Sequence, residues 1–536
     1  MRAIALTLSG PLAASFVLFL APTLAGAGTI VVSSRGDAIE ADDYLTLREA
    51  IALSDGSLTV AELSALEQAQ VTGAVGATIA DSITFELWAY NIATSGLQVS
   101  DGNTTFEGDF DGDGSIDVVV DAGGAVALVL ASPGNTVRGI RFRSTVAGIV
   151  LQQAAASHST IAGCWFDGPA ILNDTSSGAL TNVDILENVM RPSNPSETAI
   201  SLVVSSGSIS DVLIAENHID GYELGVTVTA ALGTCDVFAI VIFNNTILGA
   251  PDPLFSRGLV VASDGGAART SDVLIASNRM TGHVRGLEIN GPGTERVTAT
   301  ENLIFDNDSV PIQINTGANG GILPPTITSV GTTFTGTVDS TIPDGSTVEL
   351  FYDFDDSCEP EAYRSSTTTS AGAWSITVST PQFGTVTATV TDPSGNTSAV
   401  GCMPNCVPSR TARNNLIAPF NPDVLTCTLP VSPSIWVAEV THAAGPATLA
   451  ILHIHSLPSI STGAPAPPPV IYRKLCRGTL FASIVMATDE IPPISAAQRS
   501  CSVAIPPGLS CLQFCAQAVT SGSGVIALSN AIDGNL

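Results

Sequence analysis

A segment rich in aspartate could hold a metal ion. Residues 108–117 read GDFDGDGSID, which places aspartates at the first, third, fifth and ninth positions of an EF-hand calcium loop and glycine at the sixth. The candidate ligands are Asp109, Asp111, Asp113 and Asp117. The twelfth position, where an EF-hand carries a bidentate glutamate, is Val120. We therefore predict no calcium sensor: the segment is either a structural calcium site or a polar Asp-Gly turn.

An asparagine recurs at one position of an internal repeat. Seven segments align without gaps: VRGIRF (137–142), IAGCWF (161–166), ILENVM (185–190), IAENHI (214–219), IFNNTI (242–247), IASNRM (275–280) and ATENLI (299–304). In the last five, the fourth position is Asn188, Asn217, Asn245, Asn278 and Asn302. Amide side chains in equivalent turns of stacked coils can hydrogen-bond to one another. We interpret these asparagines as an inward-facing structural ladder; the alternative is a row that binds a ligand.

Carboxylates stand directly before this asparagine at Glu187, Glu216 and Glu301. If the asparagine points inward, strand alternation sends its neighbour outward. On adjacent coils, Glu187 and Glu216 would stand about 5 Å apart, which is the carboxylate separation of retaining glycosidases. The alternative is a solvated acidic surface, which is common in an acidic chain. We therefore assign no catalytic residues and name Glu187 and Glu216 as the pair to test if the protein is an enzyme.

The repeat itself predicts a parallel β-helix. Its segments begin 24 to 33 residues apart, which is too short for a propeller blade, and they lack the leucine spacing of leucine-rich repeats. A second short strand follows, as in GVTV (225–228) and GLVV (258–261). Coils of such strands stack roughly 4.8 Å apart, so equivalent positions form columns. With 49 glycines and few helix-forming stretches, the chain is expected to be all-β.

The residues before the repeat predict a cover for its open end. Thr46 and Glu49 form a T-x-x-E capping box at the start of an amphipathic helix, LREAIALS (47–54). Residues 46–51, followed by DSITF (81–85), resemble secreted bacterial proteins with a CSLREA-type N-terminal segment and right-handed parallel β-helix repeats; Leu45 stands where that motif has its cysteine. This resemblance extends to the end of the repeat. It implies a right-handed β-helix with a short N-terminal capping helix and a secreted or surface location, but no reaction.

The N-terminal segment and the net charge indicate where the protein is located and which kinds of partner it binds. Arg2, the apolar run 3–24 and Ala25-Gly26-Ala27 predict a secretory signal peptide, and no later segment is apolar for long enough to span a bilayer. The net charge of −30 disfavours nucleic acids and anionic membranes and suits divalent cations or neutral glycans. We expect a secreted, extracellular or cell-surface protein whose partner is an extracellular glycan or a surface protein. The sequence gives no basis for an oligomeric state.

Four segments are predicted: a signal peptide (1–27), an N-terminal cap plus β-helix (28–322), a β-sandwich (324–400) and a cysteine-rich β domain (401–536). The end of the third segment, TVTATVTDPSGNTS, resembles bacterial Ig-like modules, which implies a spacer or adhesive unit. Eight of the ten cysteines lie from Cys358 to Cys515, so disulfides are expected there, with a pairing that the sequence does not reveal.

Cys164 lies in the buried asparagine column and Cys235 more than two coils further on. Both are therefore predicted to be free thiols. In the last segment, His442, His453 and His455 are either candidate zinc ligands or solvated side chains on a strand.

Two classes of function remain open. The first is a non-catalytic, exported scaffold or adhesin-like protein, with glycans among its candidate ligands. The second is a polysaccharide lyase or glycoside hydrolase, because the β-helix fold hosts many of these enzymes. The repeat has no lysine, since Lys474 is the only one in the chain, and it shows no compact set of acids with a basic partner. We therefore favour the scaffold.

Overall fold

Parallel strands dominate the chain. The computed structural model describes residues 28–86, 90–174, 177–250, 255–315, 317–329, 333–354, 357–378 and 385–403, and the strand backbones within 409–535. The predicted signal peptide (1–27) lies outside the described residues. Strands account for 50% of residues and helices for 6%, which confirms the all-β prediction. No described helix is long and apolar enough to cross a membrane.

The chain divides into two compact units, and both contain coils of a right-handed parallel β-helix, as predicted. The first unit comprises the residues up to 171 together with 182–189, and the second comprises 172–181 and the residues from 190 onward. Each coil contributes one strand to each of three sheets. Three strands lie at the division between the units: Ile171–Asn173, Ala179–Leu186 and Val189–Arg191.

In the first unit, the strands of each sheet are parallel, apart from the antiparallel pairing of Val71–Thr72 with Thr29–Val32. The first sheet runs in the order Val71–Thr72, Thr29–Val32, Ser82–Phe85, Thr105–Glu107, Thr136–Arg138 and Thr160–Ala162. The second contains Tyr90–Ala93, Val118–Gly123, Ile140–Ser144 and Trp165–Asp167, and the third contains Leu97–Val99, Val126–Leu130 and Ala147–Leu151. The short 3-10 helix Ala154–Ala156 follows the last of these.

In the second unit, most strands of the first and third sheets are longer than in the first unit. The first contains Ser208–Ala215, Asp236–Phe243, Arg269–Ala276 and Thr294–Thr300. The second contains His218–Tyr222, Thr246–Gly249, Arg279–Thr281 and Leu303–Phe305, and the third contains Thr198–Val204, Leu224–Ala230, Arg257–Ser263, Arg285–Asn290 and Ile312–Ile314. Register stacks Ile214, Ile242 and Ile275 in one inward column, and all three are completely buried. This repeated burial of apolar side chains stabilises the coils.

The N-terminal end of the β-helix is covered by a helix that begins where the capping box predicts it. The helix Leu47–Ser54 starts after Thr46, whose hydroxyl accepts the backbone N–H of Glu49 (3.1 Å). The Glu49 carboxylate in turn accepts the N–H of Thr46 (2.8 Å). The apolar residues of this helix, including Leu47 and Leu53, are buried. A 3-10 helix, Val60–Glu62, and a one-turn helix, Ala65–Gln68, follow it.

Residues 326–403 form a β-sandwich of two antiparallel sheets. One contains Thr326–Ser329, Thr333–Thr337 and Ala373–Thr377, and the other contains Ala362–Thr368, Thr347–Asp353, Thr385–Thr391 and Gly401–Met403. Val348, Leu350 and Trp374 lie in its core. A disulfide joins Cys358 to Cys402, so one predicted disulfide lies within the sandwich. The 3-10 helix Asn319–Gly321 precedes the sandwich.

The sandwich covers the last coil of the β-helix through direct hydrogen bonds. The backbone N–H of Ala299 donates to the hydroxyl of Thr397 (2.9 Å), and the N–H of Arg296 donates to Oδ1 of Asn396 (2.7 Å). The hydroxyl of Thr298 donates to the carbonyl of Gly395 (2.8 Å). The exposed edge of the last coil is therefore paired with the sandwich, as an open sheet edge requires.

Beyond residue 403 the structure describes strand backbones in antiparallel sheets. They are Ser409–Arg413, Leu425–Cys427, Ile435–Thr441, Leu449–Leu457, Ala464–Pro465, Arg473–Lys474, Arg477–Ala487, Gln498–Ala504, Gln513–Gly522 and Val525–Asn535. The candidate zinc ligands His442, His453 and His455, and the predicted disulfides of this segment, lie outside the described side chains.

Candidate functional sites

The repeated asparagines are buried and joined by hydrogen bonds. In the second unit, Oδ1 of Asn245 accepts both the backbone and the side-chain N–H of Asn217, each at 2.9 Å. Asn278 accepts the same pair from Asn245, and Asn302 accepts it from Asn278. In the first unit, Oδ1 of Asn188 accepts the N–H of Cys164 (2.9 Å). Exposure of the five asparagines is 0–4%, so no bound ligand could reach this row without displacing the ladder.

Cys164 and Cys235 are both buried and free, which confirms that prediction. Burial raises the pKa of the Cys164 thiol to about 12, so it is an inert, neutral side chain at physiological pH. Its thiol lies 3.6 Å from the carbonyl of Val137. Cys164 therefore fills the asparagine position of its coil as an apolar residue with a weak donor.

Glu187 and Glu216 are exposed, but the cause is a turn rather than strand alternation. Glu187 has φ of 54° and Glu216 has φ of 60°, both in the left-handed region. The equivalent residues of the other coils share this conformation: Gly139, Gly163, Asn244, Ser277 and Glu301. The two glutamates lie in different units, Glu187 in the first and Glu216 in the second. The predicted separation of about 5 Å between these two carboxylates therefore stays a prediction.

A second left-handed column bends the first sheet six residues before the asparagine. Its members are Gly134, His158, Asn182, Asp211, Ala239, Asp272 and Arg296. At its C-terminal end, Nε of Arg296 lies 2.7 Å from Oδ1 of Asp272, and Nη2 lies 2.9 Å from Oδ2. This bidentate pair lowers the pKa of Asp272 mainly through the hydrogen bond from Arg296. The residues of this column therefore form a bend in each coil, and Arg296 and Asp272 form an exposed ion pair there.

The aspartate-rich loop brings together three of its four candidate ligands. Carboxylate oxygens of Asp109, Asp111 and Asp117 all lie within 4.8 Å of one another. Asp109 organises the loop by accepting the N–H groups of Gly112 and Gly114, each at 2.9 Å. The three carboxylates therefore offer neighbouring oxygen atoms, which are the ligands that a hard cation such as calcium prefers.

Asp113 does not join that group. Its Oδ1 accepts the N–H of Ser115 (2.7 Å), and the hydroxyl and N–H of Ser115 lower the pKa of this exposed carboxyl. Asp113 closes an Asx turn around Ser115, as Asp111 does around Asp113. The sequence spacing alone did not separate Asp113 from the other three.

Four side chains on the outer face of the second sheet form a cluster that the sequence reasoning missed. Nε of Arg141 lies 2.7 Å from Oδ2 of Asp167, and its Nη2 lies 3.1 Å from Oδ1. The guanidinium also lies over the Trp165 ring, 5.1 Å from its centroid, while Nε1 of Trp165 donates to Oδ1 of Asp167 (3.0 Å). Arg143 lies 3.4 Å from the same carboxylate. We call Arg141, Arg143, Trp165 and Asp167 the Trp165 cluster.

Two adjacent strands of the first unit position the Trp165 cluster. Ile140–Ser144 pairs in parallel with Trp165–Asp167, so R-x-R lies beside W-x-D in register. The residues between them, Phe142 and Phe166, point inward, are buried and stack at 5.4 Å. This packed aromatic pair fixes both strands from beneath. The sequence signal for this cluster was a pair of motifs at the same repeat position, Arg-x-Arg and Trp-x-Asp, which lie 24 residues apart.

The Trp165 cluster holds its carboxylate in the ionised form. Partial burial acts to raise the pKa of Asp167, but hydrogen bonds from Arg141 and Trp165 and the charges of both arginines outweigh it. The pKa is therefore below its usual value. The two arginines are balanced by Asp167 and by Asp121, which is in register with Arg143 on the neighbouring strand, so this surface is close to neutral in a chain of net charge −30.

The second unit has a related arrangement on its corresponding sheet. Arg279 lies over the ring of Phe305, 4.8 Å from the centroid, on neighbouring strands. Nε of Arg191 lies 3.7 Å from Oδ2 of Asp220. Arginine, aromatic and acidic side chains therefore recur on the outer face of this sheet.

Comparisons with known proteins add fold neighbours only. No protein-family model and no curated protein matches the chain. A mutant tailspike protein of E. coli bacteriophage HK620, in complex with pentasaccharide, matches at 10% identity and a TM-score of 0.19 over 58% of this chain and 73% of the tailspike. The phiAB6 tailspike, in complex with three-repeated oligosaccharides of Acinetobacter baumannii surface polysaccharide, matches at 10% identity and a TM-score of 0.17 over 79% of this chain and 73% of the tailspike. Likeness at this level carries no argument about function.

Proposed function

We propose that this protein is an exported, non-catalytic surface scaffold that binds glycans on the outer face of its β-helix. The observation that carries the proposal is the Trp165 cluster. It combines a half-buried indole ring with a guanidinium and a carboxylate that are held by mutual hydrogen bonds. Such a surface is ordered before any ligand arrives, so binding a ligand there requires little side-chain ordering.

The chemistry of the cluster fits a sugar. A pyranose ring has an apolar face that an indole can cover, and a rim of hydroxyls that both donate and accept hydrogen bonds. Asp167 accepts from hydroxyls, and the free N–H groups of an arginine donate to them. A nearly neutral surface in an acidic chain suits a neutral glycan.

The same geometry supports binding rather than hydrolysis. A general acid must carry a proton at the working pH, and the lowered pKa of Asp167 removes that proton. Glycosidases pair such an acid with a second carboxylate across the scissile bond. Asp167 is instead held by Arg141 and by Trp165, which orient it as an acceptor.

A glycan array followed by product analysis tests the proposal. The mature chain should retain one class of glycan and release no shorter products from it. Trp165→Ala should weaken binding about 10-fold or more, which corresponds to the loss of one aromatic contact of roughly 1.4 kcal/mol. Phe238→Ala, which removes an exposed aromatic ring from the first sheet, is the matched control and should leave binding unchanged. Shorter products that disappear in Glu187→Gln or Glu216→Gln would instead establish the enzyme.

We also propose that the loop around Asp109, Asp111 and Asp117 holds a structural calcium ion. The convergence of their oxygens within 4.8 Å supports it. Chelation should lower the melting temperature by a few degrees without unfolding the protein, through the loss of ligand-linked stability. Asp111→Ala should abolish this component of the chelator effect, whereas Asp113→Ala should retain it. Equal effects of the two substitutions would exclude the three-aspartate site.

A further inference from the structure

Two buried aspartates lie beneath the N-terminal cap with an unsatisfied oxygen each. Asp81 is 2% exposed and Asp101 is 9% exposed. Oδ1 of Asp81 and Oδ2 of Asp101 are both inaccessible to solvent and accept no hydrogen bond within 3.5 Å. The other oxygen of each carboxylate accepts a backbone hydrogen bond. The N–H of Gly76 donates to Oδ2 of Asp81 (3.1 Å), and the N–H of Thr78 donates to Oδ1 of Asp101 (2.8 Å).

The two carboxylates are near each other, because their N–H donors, Gly76 and Thr78, are only two residues apart. Burial raises the pKa of Asp81, the N–H of Gly76 and the hydroxyl of Ser54 lower it, and the negative charge of Asp101 raises it further. No lysine, arginine or histidine is among the groups that shift it. A buried carboxylate without a counter-charge is strongly unfavourable, and two of them together are more so. A positive charge placed between the orphan oxygens removes that penalty.

Neutral oxygen atoms complete the surroundings. The hydroxyls of Ser54 and Thr104 lie 2.8 Å apart and are both buried. Ser54 is the last residue of the cap helix Leu47–Ser54, so the carbonyl end of that helix dipole adds negative potential here. Carboxylates, hydroxyls and carbonyls are the ligands that Ca²⁺ selects, and no nitrogen or sulfur ligand is contributed by the residues named.

We propose that Asp81 and Asp101 form a buried cation site that binds Ca²⁺ and fastens the N-terminal cap to the first coils of the β-helix. The ligands come from three parts of the chain: Ser54 on the cap helix, Asp81 before the strand Ser82–Phe85, and Asp101 after the strand Leu97–Val99. An ion held by all three joins the cap to the coil that it covers. This site is separate from the exposed aspartate loop at Asp109 to Asp117.

The test uses the full mature chain carrying Asp111→Ala, which disables the exposed loop. After treatment with chelator, Ca²⁺ alone is titrated by calorimetry and the melting temperature is recorded with and without it. The chain should still bind Ca²⁺ and its melting temperature should rise by about 2 °C or more. Mg²⁺, which demands a smaller octahedral shell, should have the smaller effect.

Adding Asp101→Asn to that chain separates loss of the site from loss of the fold. Asparagine keeps the shape and removes one buried negative charge, so in chelator the double variant should melt at the same temperature as its parent or higher. Its response to Ca²⁺ should vanish. A parent without any Ca²⁺ response, which is the result expected if the two carboxyl groups share a proton or contact a water molecule, would overturn the proposal. A Ca²⁺ response that survives Asp101→Asn would overturn it equally.

Discussion

The two ends of the β-helix are covered by different kinds of contact. At the N-terminal end, the helix Leu47–Ser54 buries apolar side chains such as Leu47 and Leu53 over the first coils. At the C-terminal end, the last coil meets the sandwich through hydrogen bonds between residues 48 to 100 positions apart, including those of Thr397 and Glu349. The N-terminal cover is an apolar helix that lies within one short segment of the chain. The other is a polar joint assembled from distant segments.

The difference between the ends follows from the nature of the two forces. Apolar burial is non-directional, so an amphipathic helix of the right length can cover an open end without matching individual groups. An edge strand exposes N–H and C=O groups, and each of these needs a partner at a defined position. The N-terminal cover should therefore respond to lost volume, and the C-terminal joint should respond to lost hydrogen bonds and to charge.

The largest effect is expected from Leu53→Ala in the apolar cover. Leu53 is 1% exposed, and removing a buried leucine side chain costs about 2–5 kcal/mol, because the cavity closes only in part. Denaturant unfolding of the mature chain measures it. Tyr44→Ala, at a neighbouring residue that is 60% exposed, should change stability by less than about 0.5 kcal/mol. Similar effects at the two positions would mean that the helix does not act as an apolar lid.

Glu349→Gln should show that the C-terminal joint is sensitive to pH. Glu349 accepts the hydroxyl of Thr300 and the N–H of Glu301 (3.1 Å). Burial raises its pKa to about 7; the hydrogen bonds from Thr300 and Glu301 lower it, and the charge of Glu301 raises it. Because the folded pKa exceeds the ordinary value of 4.5, the stabilising contribution is complete below about pH 4.5 and is lost as pH rises through about 7.

The loss at alkaline pH is on the order of 3 kcal/mol for a pKa difference of this size. Glu349→Gln, which stays neutral, should therefore be more stable than the wild type at pH 8 and nearly equal to it at pH 4. Unfolding free energies across this pH range measure the effect. Glu301→Gln, at the half-buried neighbour, should not reproduce it. Parallel pH curves for the wild type and Glu349→Gln would show that Glu349 does not titrate within the joint.

Asn319→Ala probes the hydrogen bonds of the same joint. Asn319 is completely buried, accepts the N–H of Val297 (2.9 Å), and donates to the carbonyls of Val297 (3.0 Å) and Thr397 (2.7 Å). Leaving such buried groups without partners costs about 1–3 kcal/mol. Chemical denaturation measures the change, and Asn194→Ala, at an exposed asparagine, is the control. No measurable loss at Asn319 would show that water replaces these bonds.

The smallest effect is expected from Thr46→Ala, which removes the polar element of the apolar cover. The capping box at Thr46 and Glu49 is buried, and loss of a cap costs about 1 kcal/mol. Thr59→Ala removes the corresponding threonine before the exposed 3-10 helix Val60–Glu62 and should cost about 0.5 kcal/mol or less. Thermal unfolding of both variants checks the order. A larger loss at Thr59 would reverse it.

Sequence reasoning predicted the features that repeat or that lie within one short segment. The seven aligned segments predicted stacked parallel coils, and the capping box predicted the start of the helix at Leu47. The sequence correctly predicted that the side chain of Glu216 faces outward. The predicted cause, strand alternation, was wrong, because Glu216 lies in a turn with φ of 60°. Backbone handedness at such a position comes from the bend of the coil, and glutamate has no special preference for it.

The sequence by itself determined the coil: period, inward apolar columns and the N-terminal lid follow from side-chain spacing and local hydrogen bonding. Only the tertiary structure decided which polar groups meet. It placed Arg141 against Asp167, brought Asp81 near Asp101, and packed the sandwich on the last coil. The physical reason is that apolar burial depends on a pattern of residue types, whereas a polar contact depends on the distance and angle between two particular groups.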